Sequence, residues 1–247
     1  MEQETLQENK NSLSIPVAIV IAGTLIAGAV FFSNGRGSVT TGATNSGNAP
    51  QQQQTSQPTA QAVDISKVKI DGQPFIGNPN APVTVAYWYD YQCPFCRKTE
   101  EEVMPQLIND YMKTGKVKLV YKDFQFLGPD SQTAGLAEHA VWEVAPDKFY
   151  QWHKAMYDKQ DNENSGWGNK ADILALTKSV GIDSAKVEQL MTSKADEYQK
   201  AMDEDKREGE ALGVSGTPSY IIGKQLIVGA VPFSTIKTAI DQALNNK

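Results

Sequence analysis

The residues with the most chemistry to offer are Cys93 and Cys96, in the run Cys93-Pro94-Phe95-Cys96, and the chain has no other cysteine. The thiolate, not the thiol, is the nucleophile, so such a pair reacts where its surroundings lower one of the two pKa values. A helix N-terminus does this, because its unpaired N–H groups carry partial positive charge. Pro94 suits the first helical position, where its missing N–H costs nothing. The spacing puts Cys96 about one helical turn beyond Cys93, within reach of a disulfide. Cys93 is therefore expected to be the exposed nucleophile and Cys96 the buried resolving thiol. Pro94 and Phe95 shape the motif between them.

Two other uses of the pair are weaker. A structural bridge closing so short a loop constrains the unfolded chain little. Zinc usually takes four ligands, and only two widely placed histidines, His139 and His153, could join the thiols. No metal is expected, and no cofactor beyond a redox-active Cys93–Cys96 disulfide.

The elements that must position this pair follow from the pattern around it. Val83–Tyr89 is β-branched and aromatic and predicts a buried strand. A helix opens at Pro94, with Val103, Met104, Leu107 and Ile108 on one face, a kink at Pro105 and a stop at Gly115. Val117–Phe124 predicts the next strand, which makes a parallel βαβ unit. A helical block fills residues 130–212, with Asp183 as one N-cap. Phe149, Trp152, His153 and Met156 have the spacing of a buried helical stripe, so His153 reads as a partly buried structural histidine. His139 reads as solvated. Strand signal returns at Pro218–Ile222 and pairs across Gly223-Lys224 with Gln225–Val228, and a last helix carries Ile236, Ala239, Ile240, Ala243 and Leu244.

The first quarter of the chain differs in kind. Residues 1–12 are polar and acidic, and residues 13–32 are almost wholly apolar, long enough to span a bilayer core of about 30 Å. Ala27-Gly28-Ala29 offers small residues for cleavage, but the acidic leader lacks the positive charge of a signal peptide, so an uncleaved signal-anchor is expected. Residues 33–62 are mostly Gly, Ser, Thr, Gln and Pro, a composition that cannot offset its ordering entropy and reads as a flexible linker. The folded domain occupies residues 63–247. A net charge of −6 gives no reason to propose a nucleic-acid partner.

Four segments together carry a resemblance. Tyr89-Asp90-Tyr91-Gln92-Cys93-Pro94-Phe95-Cys96 resembles the active-site segment of the DsbA-like branch of the thioredoxin superfamily. Ile76–Pro82 is similar to the lead-in to its first core strand, Phe149–Met156 to a helix of its inserted domain, and Val214–Tyr220 to its cis-proline segment. The resemblance spans about residues 63–247. It implies an α/β thioredoxin fold (βαβ…ββα) with an inserted helical domain. It also implies a cis Thr217–Pro218 bond against the Cys93 sulfur, with the Thr217 backbone pairing to an extended substrate; by composition alone Pro218 could equally start a strand. Two positions depart from the family. Phe95 stands where strongly oxidising members have histidine. Tyr87 stands where relatives often bury a carboxylate, leaving Asp90 and Glu100 as the nearest acids.

These readings lead to a single-pass membrane protein with its catalytic domain on the extracytoplasmic side. It is expected to oxidise cysteine pairs of secreted or membrane proteins through a mixed disulfide at Cys93. A membrane or extracytoplasmic redox partner would restore the disulfide, and the N-terminal helix would contact lipid. An isomerase or reductase using the same pair is the alternative within this chemistry. A tethered peptide-binding or chaperone module is the alternative outside it.

Overall fold

Residues 63–246 are described by a computed structural model of the chain. The expected tail at 1–12, membrane segment at 13–32 and linker at 33–62 lie outside them. None of the helices among the described residues is long and apolar enough to cross a membrane.

Five strands form one mixed sheet: β1 Phe75–Gly77, β2 Val83–Tyr89, β3 Val117–Asp123, β4 Ser219–Ile222 and β5 Gln225–Val228, in the order β1-β3-β2-β4-β5. β2 lies at the centre because nearly every residue in it can be buried. Its odd-numbered side chains Val83, Val85, Tyr87 and Tyr89 face the larger core, and Ala86 and Trp88 face the smaller one on the reverse side. β2 and β3 pair in parallel over their full lengths, from Val83 opposite Val117 to Tyr89 opposite Asp123, and β4 and β5 form the antiparallel hairpin. β1 adds antiparallel to the edge at β3. The sequence reading has no strand there, since three residues carry too little alternation to register.

Between β2 and β3 the chain forms α1 Pro94–Glu102 and α2 Met104–Leu107, then a π-turn over Ile108–Met112. The break falls at Val103 rather than at Pro105. Pro105 takes the second position of α2, where its missing N–H has no partner to lose within that helix. The insertion between β3 and β4 is five helices: α3 Pro129–Val144, α4 Phe149–Lys159, α5 Lys170–Ser179, α6 Ser184–Ser193 and α7 Ala195–Ala211. Asp183 caps α6 by accepting from the Lys186 N–H at 3.0 Å. The closing helix is α8 Phe233–Asn245.

The insertion shares one core with the sheet. Tyr121 of β3 packs edge-on against Phe149, and Tyr89 of β2 against His153. On the reverse face α7 crosses close over Trp88. A Cβ added at Gly209 would fall 2.7 Å from the Trp88 indole nitrogen, so the approach requires glycine. That nitrogen donates to the Asp205 carbonyl at 3.1 Å. Lys122, with no exposed surface, is paired there with Asp205 and, at 3.0 Å, with Glu208. The charged run on α7 is thus wet on one face only.

Candidate active site

β2 ends in a turn, Asp90-Tyr91-Gln92, that delivers Cys93 to the head of α1. Asp90 organises it. One carboxylate oxygen accepts from the Gln92 N–H (2.8 Å) and the Ser131 hydroxyl, and the other from the N–H groups of Phe126 (2.8 Å) and Leu127 (3.0 Å). Its carbonyl accepts from the Cys93 N–H and the Tyr157 hydroxyl, both at 3.1 Å. Asp90 is therefore a turn residue whose carboxylate is taken up by three backbone N–H groups and one hydroxyl. Burial raises its pKa against the pull of those donors.

Cys93 is the N-cap of α1 and Pro94 its first residue. The Cys93 carbonyl accepts from the N–H groups of Cys96 (3.1 Å) and Arg97 (3.2 Å), the first hydrogen bonds of the helix. Both cysteines are free thiols. Cys96 has no exposed surface and burial drives its pKa well above 9. Cys93 is lowered to about 6. The largest cause is a hydrogen bond from the Cys96 thiol, which outweighs the desolvation of Cys93; Thr217 and the backbone N–H groups of Cys96 and Phe95 follow. The neighbouring thiol, more than the end of the helix, holds the charge.

One expectation is corrected. Cys93 is more accessible than Cys96, yet only 4 % exposed, because the segment before β4 lies against it: its thiol is 3.4 Å from the Thr217 carbonyl. Phe95, between the two cysteines, is 60 % exposed. Thr217–Pro218 is cis, as the resemblance implies. Phe95 and the Thr217–Pro218 segment thus flank the pair, one open to solvent and one covering the sulfur.

Behind the pair lies a buried polar chain that the sequence reading does not assemble. The Tyr91 hydroxyl is 2.8 Å from His153 Nδ1, and His153 Nε2 is 3.2 Å from Glu100 Oε1. Glu100 is one helical turn past Cys96, its other carboxyl oxygen buried without a hydrogen-bond partner among the described residues. The i, i+4 spacing from Cys96 was the available signal for Glu100. The Tyr89 hydroxyl binds Glu138, whose pKa burial raises to about 8. His139 is not solvated. Burial would lower its pKa, but Asp123 at 2.8 Å raises it to about 9. Gln160, for which the sequence offers no signal, donates to the carbonyls of Tyr91 at 2.7 Å and Cys93 at 3.1 Å.

A hollow of about 500 Å³ lined by Ile65, Pro82, Ile222, Lys224 and Ala243 contains neither cysteine. Thiol–disulfide exchange needs no enclosed pocket; it needs one accessible low-pKa sulfur and a partner sulfur within bonding reach.

Comparison with known proteins agrees with this geometry. The thioredoxin family model matches residues 69–242. Disulfide bond formation protein D of Bacillus subtilis (strain 168) is 28 % identical over 181 residues, covering 72 % of this chain and 80 % of that protein. The structure of oxidised BdbD from Bacillus subtilis superposes with a TM-score of 0.68 at 26 % identity, over 75 % of this chain and 98 % of that one. The thiol–disulfide exchange protein alpha-DsbA2 from Wolbachia pipientis gives a TM-score of 0.61 at 29 % identity, over 69 % and 86 %. With the cysteine pair at the head of α1 and the helical insertion in place, the chain belongs to the thioredoxin family, as a DsbA-like thiol–disulfide oxidoreductase.

Proposed function

We propose that the chain is an extracytoplasmic oxidase of protein thiols, held to the membrane by residues 13–32. The observation that carries this reading is the split between the two thiols, with Cys93 at about 6 and Cys96 well above 9. A stabilised Cys93 thiolate makes the reduced enzyme the favoured product, and so makes its disulfide an oxidant.

A substrate thiolate attacks the Cys93 sulfur of the enzyme disulfide. A bond forms between substrate and Cys93, the Cys93–Cys96 bond breaks, and Cys96 leaves and takes up a proton. The second substrate thiolate then attacks the substrate sulfur of this mixed disulfide, and Cys93 departs as a thiolate. The substrate has lost two electrons and the enzyme has gained them. A membrane or extracytoplasmic redox partner removes them and restores the disulfide. During the mixed-disulfide stage the Thr217 backbone, beside the Cys93 sulfur, pairs with the extended substrate, and Pro218 covers the sulfur without offering it an N–H.

Residues 63–247, oxidised in vitro, should restore activity to reduced, unfolded ribonuclease faster than they reduce insulin under a thiol reductant. Faster insulin reduction, with no reoxidation of ribonuclease, would replace the oxidase by a reductase. The absence of both activities in a folded domain would leave a binding module.

A further inference from the structure

We propose that Gln160 is a positioning residue for the exchange reaction: its carboxamide N–H groups hold the carbonyls of Tyr91 and Cys93 and fix the peptide that carries the reactive sulfur into α1. The proposal rests on exchange at the Cys93–Cys96 pair and not on its direction.

Gln160 is the residue that ends α4, 64 positions past Cys96. Its side chain is buried, and Nε2 donates at 2.7 Å to the Tyr91 carbonyl and at 3.1 Å to the Cys93 carbonyl. The orientation of the amide is fixed by chemistry, because turning it over would set its oxygen against two carbonyl oxygens. Its own oxygen is buried and has no hydrogen-bond partner among the described residues. Leaving such an oxygen unpaired is unfavourable, and a side chain needed only to fill space would be apolar. What this residue contributes is its two donors.

The grip is returned from the other side. Arg97, one turn along α1 from Cys93, donates to the Gln160 carbonyl at 3.0 Å. Gln92 reaches the same loop, accepting from the Asn164 N–H at 3.0 Å and approaching the Trp167 carbonyl at 3.4 Å. The loop after α4 is therefore joined to the residues on each side of Cys93.

The consequence falls on the sulfur. The Cys93 carbonyl already accepts from the N–H groups of Cys96 and Arg97, and Gln160 adds a third donor from outside the helix. With that carbonyl held, the following peptides keep their N–H groups of Phe95 and Cys96 toward the Cys93 sulfur, where they favour the thiolate. With it released, the turn can rotate and those donors turn away.

Gln160→Met keeps the length of the side chain and removes both donors, and Gln160→Asn keeps an amide that is too short to span the two carbonyls. In the domain carrying Gln160→Met, the midpoint of Cys93 alkylation should rise by about one pH unit, which is about a tenfold smaller acid dissociation constant. The equilibrium with a glutathione buffer should move about tenfold toward the enzyme disulfide, about 30 mV more reducing for this two-electron couple. Gln160→Asn should fall between the two proteins and carries the test alone if Gln160→Met does not fold. Thermal unfolding of the oxidised forms is measured alongside. A lower melting temperature with the thiol midpoint and the glutathione equilibrium both unmoved would overturn the proposal and leave Gln160 a packing residue. Failure of the ribonuclease assay in the unsubstituted domain would instead remove the oxidase reading and leave this result standing.

Discussion

His153 and Glu100 meet at 3.2 Å with neither side chain reaching solvent, one on α4 of the insertion and the other one turn past Cys96 on α1. Tyr91 engages the other imidazole nitrogen at 2.8 Å. The histidine thus binds the turn before the motif and the helix after it. Removing it strands polar groups on both. His153→Phe, which keeps a ring in the aromatic cluster, is expected to cost about 1–3 kcal/mol for each buried partner left without its bond. Combining it with Glu100→Leu should recover part of that loss, since replacing both partners by apolar groups is far milder than orphaning one. Urea denaturation of the single and double variants measures both terms.

The rate of Cys93 alkylation should rise with pH through a midpoint of about 6, with Cys96 unmodified in the same experiment. Cys96→Ala removes the largest stabiliser of the thiolate and should move the midpoint up. Mass spectrometry of the modified peptides identifies which thiol has reacted. An unmoved midpoint in Cys96→Ala would mean that the backbone donors hold the charge by themselves.

Glu138 gives the fold a pH dependence with a definite sign. Burial lifts its pKa from 4.5 to about 8, so the folded chain binds this proton more tightly than the unfolded chain. The stabilisation is complete below about pH 4.5 and is lost as pH rises through about 8. Glu138→Gln cannot ionise. It should match the unsubstituted protein near pH 4.5 and resist urea better at pH 8.5, by on the order of a few kcal/mol at about 1.4 kcal/mol per pKa unit. His139, raised from 6.5 to about 9, slopes in the same direction, so the test is the difference between the two proteins at each pH.

Phe95→His should lower the Cys93 pKa and raise the reduction potential together. An imidazole can donate to the thiolate where a phenyl ring cannot. The ring at this position is 60 % exposed, so water screens the new interaction, and a shift of about 10–30 mV is expected on the scale of about 30 mV per tenfold change in equilibrium. Equilibration of both proteins with glutathione decides it. A more reducing variant would show that the residue between the cysteines does not control the couple through hydrogen bonding.

Asp90→Ala leaves the N–H group of Gln92 without its acceptor in the buried turn, and those of Phe126 and Leu127 without theirs in the partly buried segment after β3. At about 1–3 kcal/mol for each, the loss should exceed about 3 kcal/mol, readable as a lower urea midpoint. Asp90→Asn keeps one acceptor oxygen and should cost less.

The parts legible in the sequence were those whose signal is local and repeated. β2 announces itself by a seven-residue run in which all but Ala86 are β-branched or aromatic, and α1 by a proline directly after a cysteine. The cis bond was legible from Gly216-Thr217 before Pro218 together with the resemblance, while Pro218 by itself fits an ordinary strand start. β1 was not legible, since its three residues are a strand only by virtue of the β3 edge they pair with. His139 looked solvated because its partner, Asp123, is sixteen residues away on another element. Gln160 left no trace at all. A glutamine at the end of a helix is unremarked until the fold sets two carbonyls in front of it.

The cysteine turn is gripped almost entirely by residues that come later in the chain than β3. Ser131 binds Asp90, Tyr157 binds the carbonyl of Asp90, and Gln160 binds the carbonyl of Cys93, all from the insertion. The five helices are thus not an accessory laid over a self-sufficient redox module. Transplanting Cys93–Cys96 into a minimal scaffold would carry over the two sulfurs and leave behind the hands that aim them, and trimming the insertion from this chain would do the same.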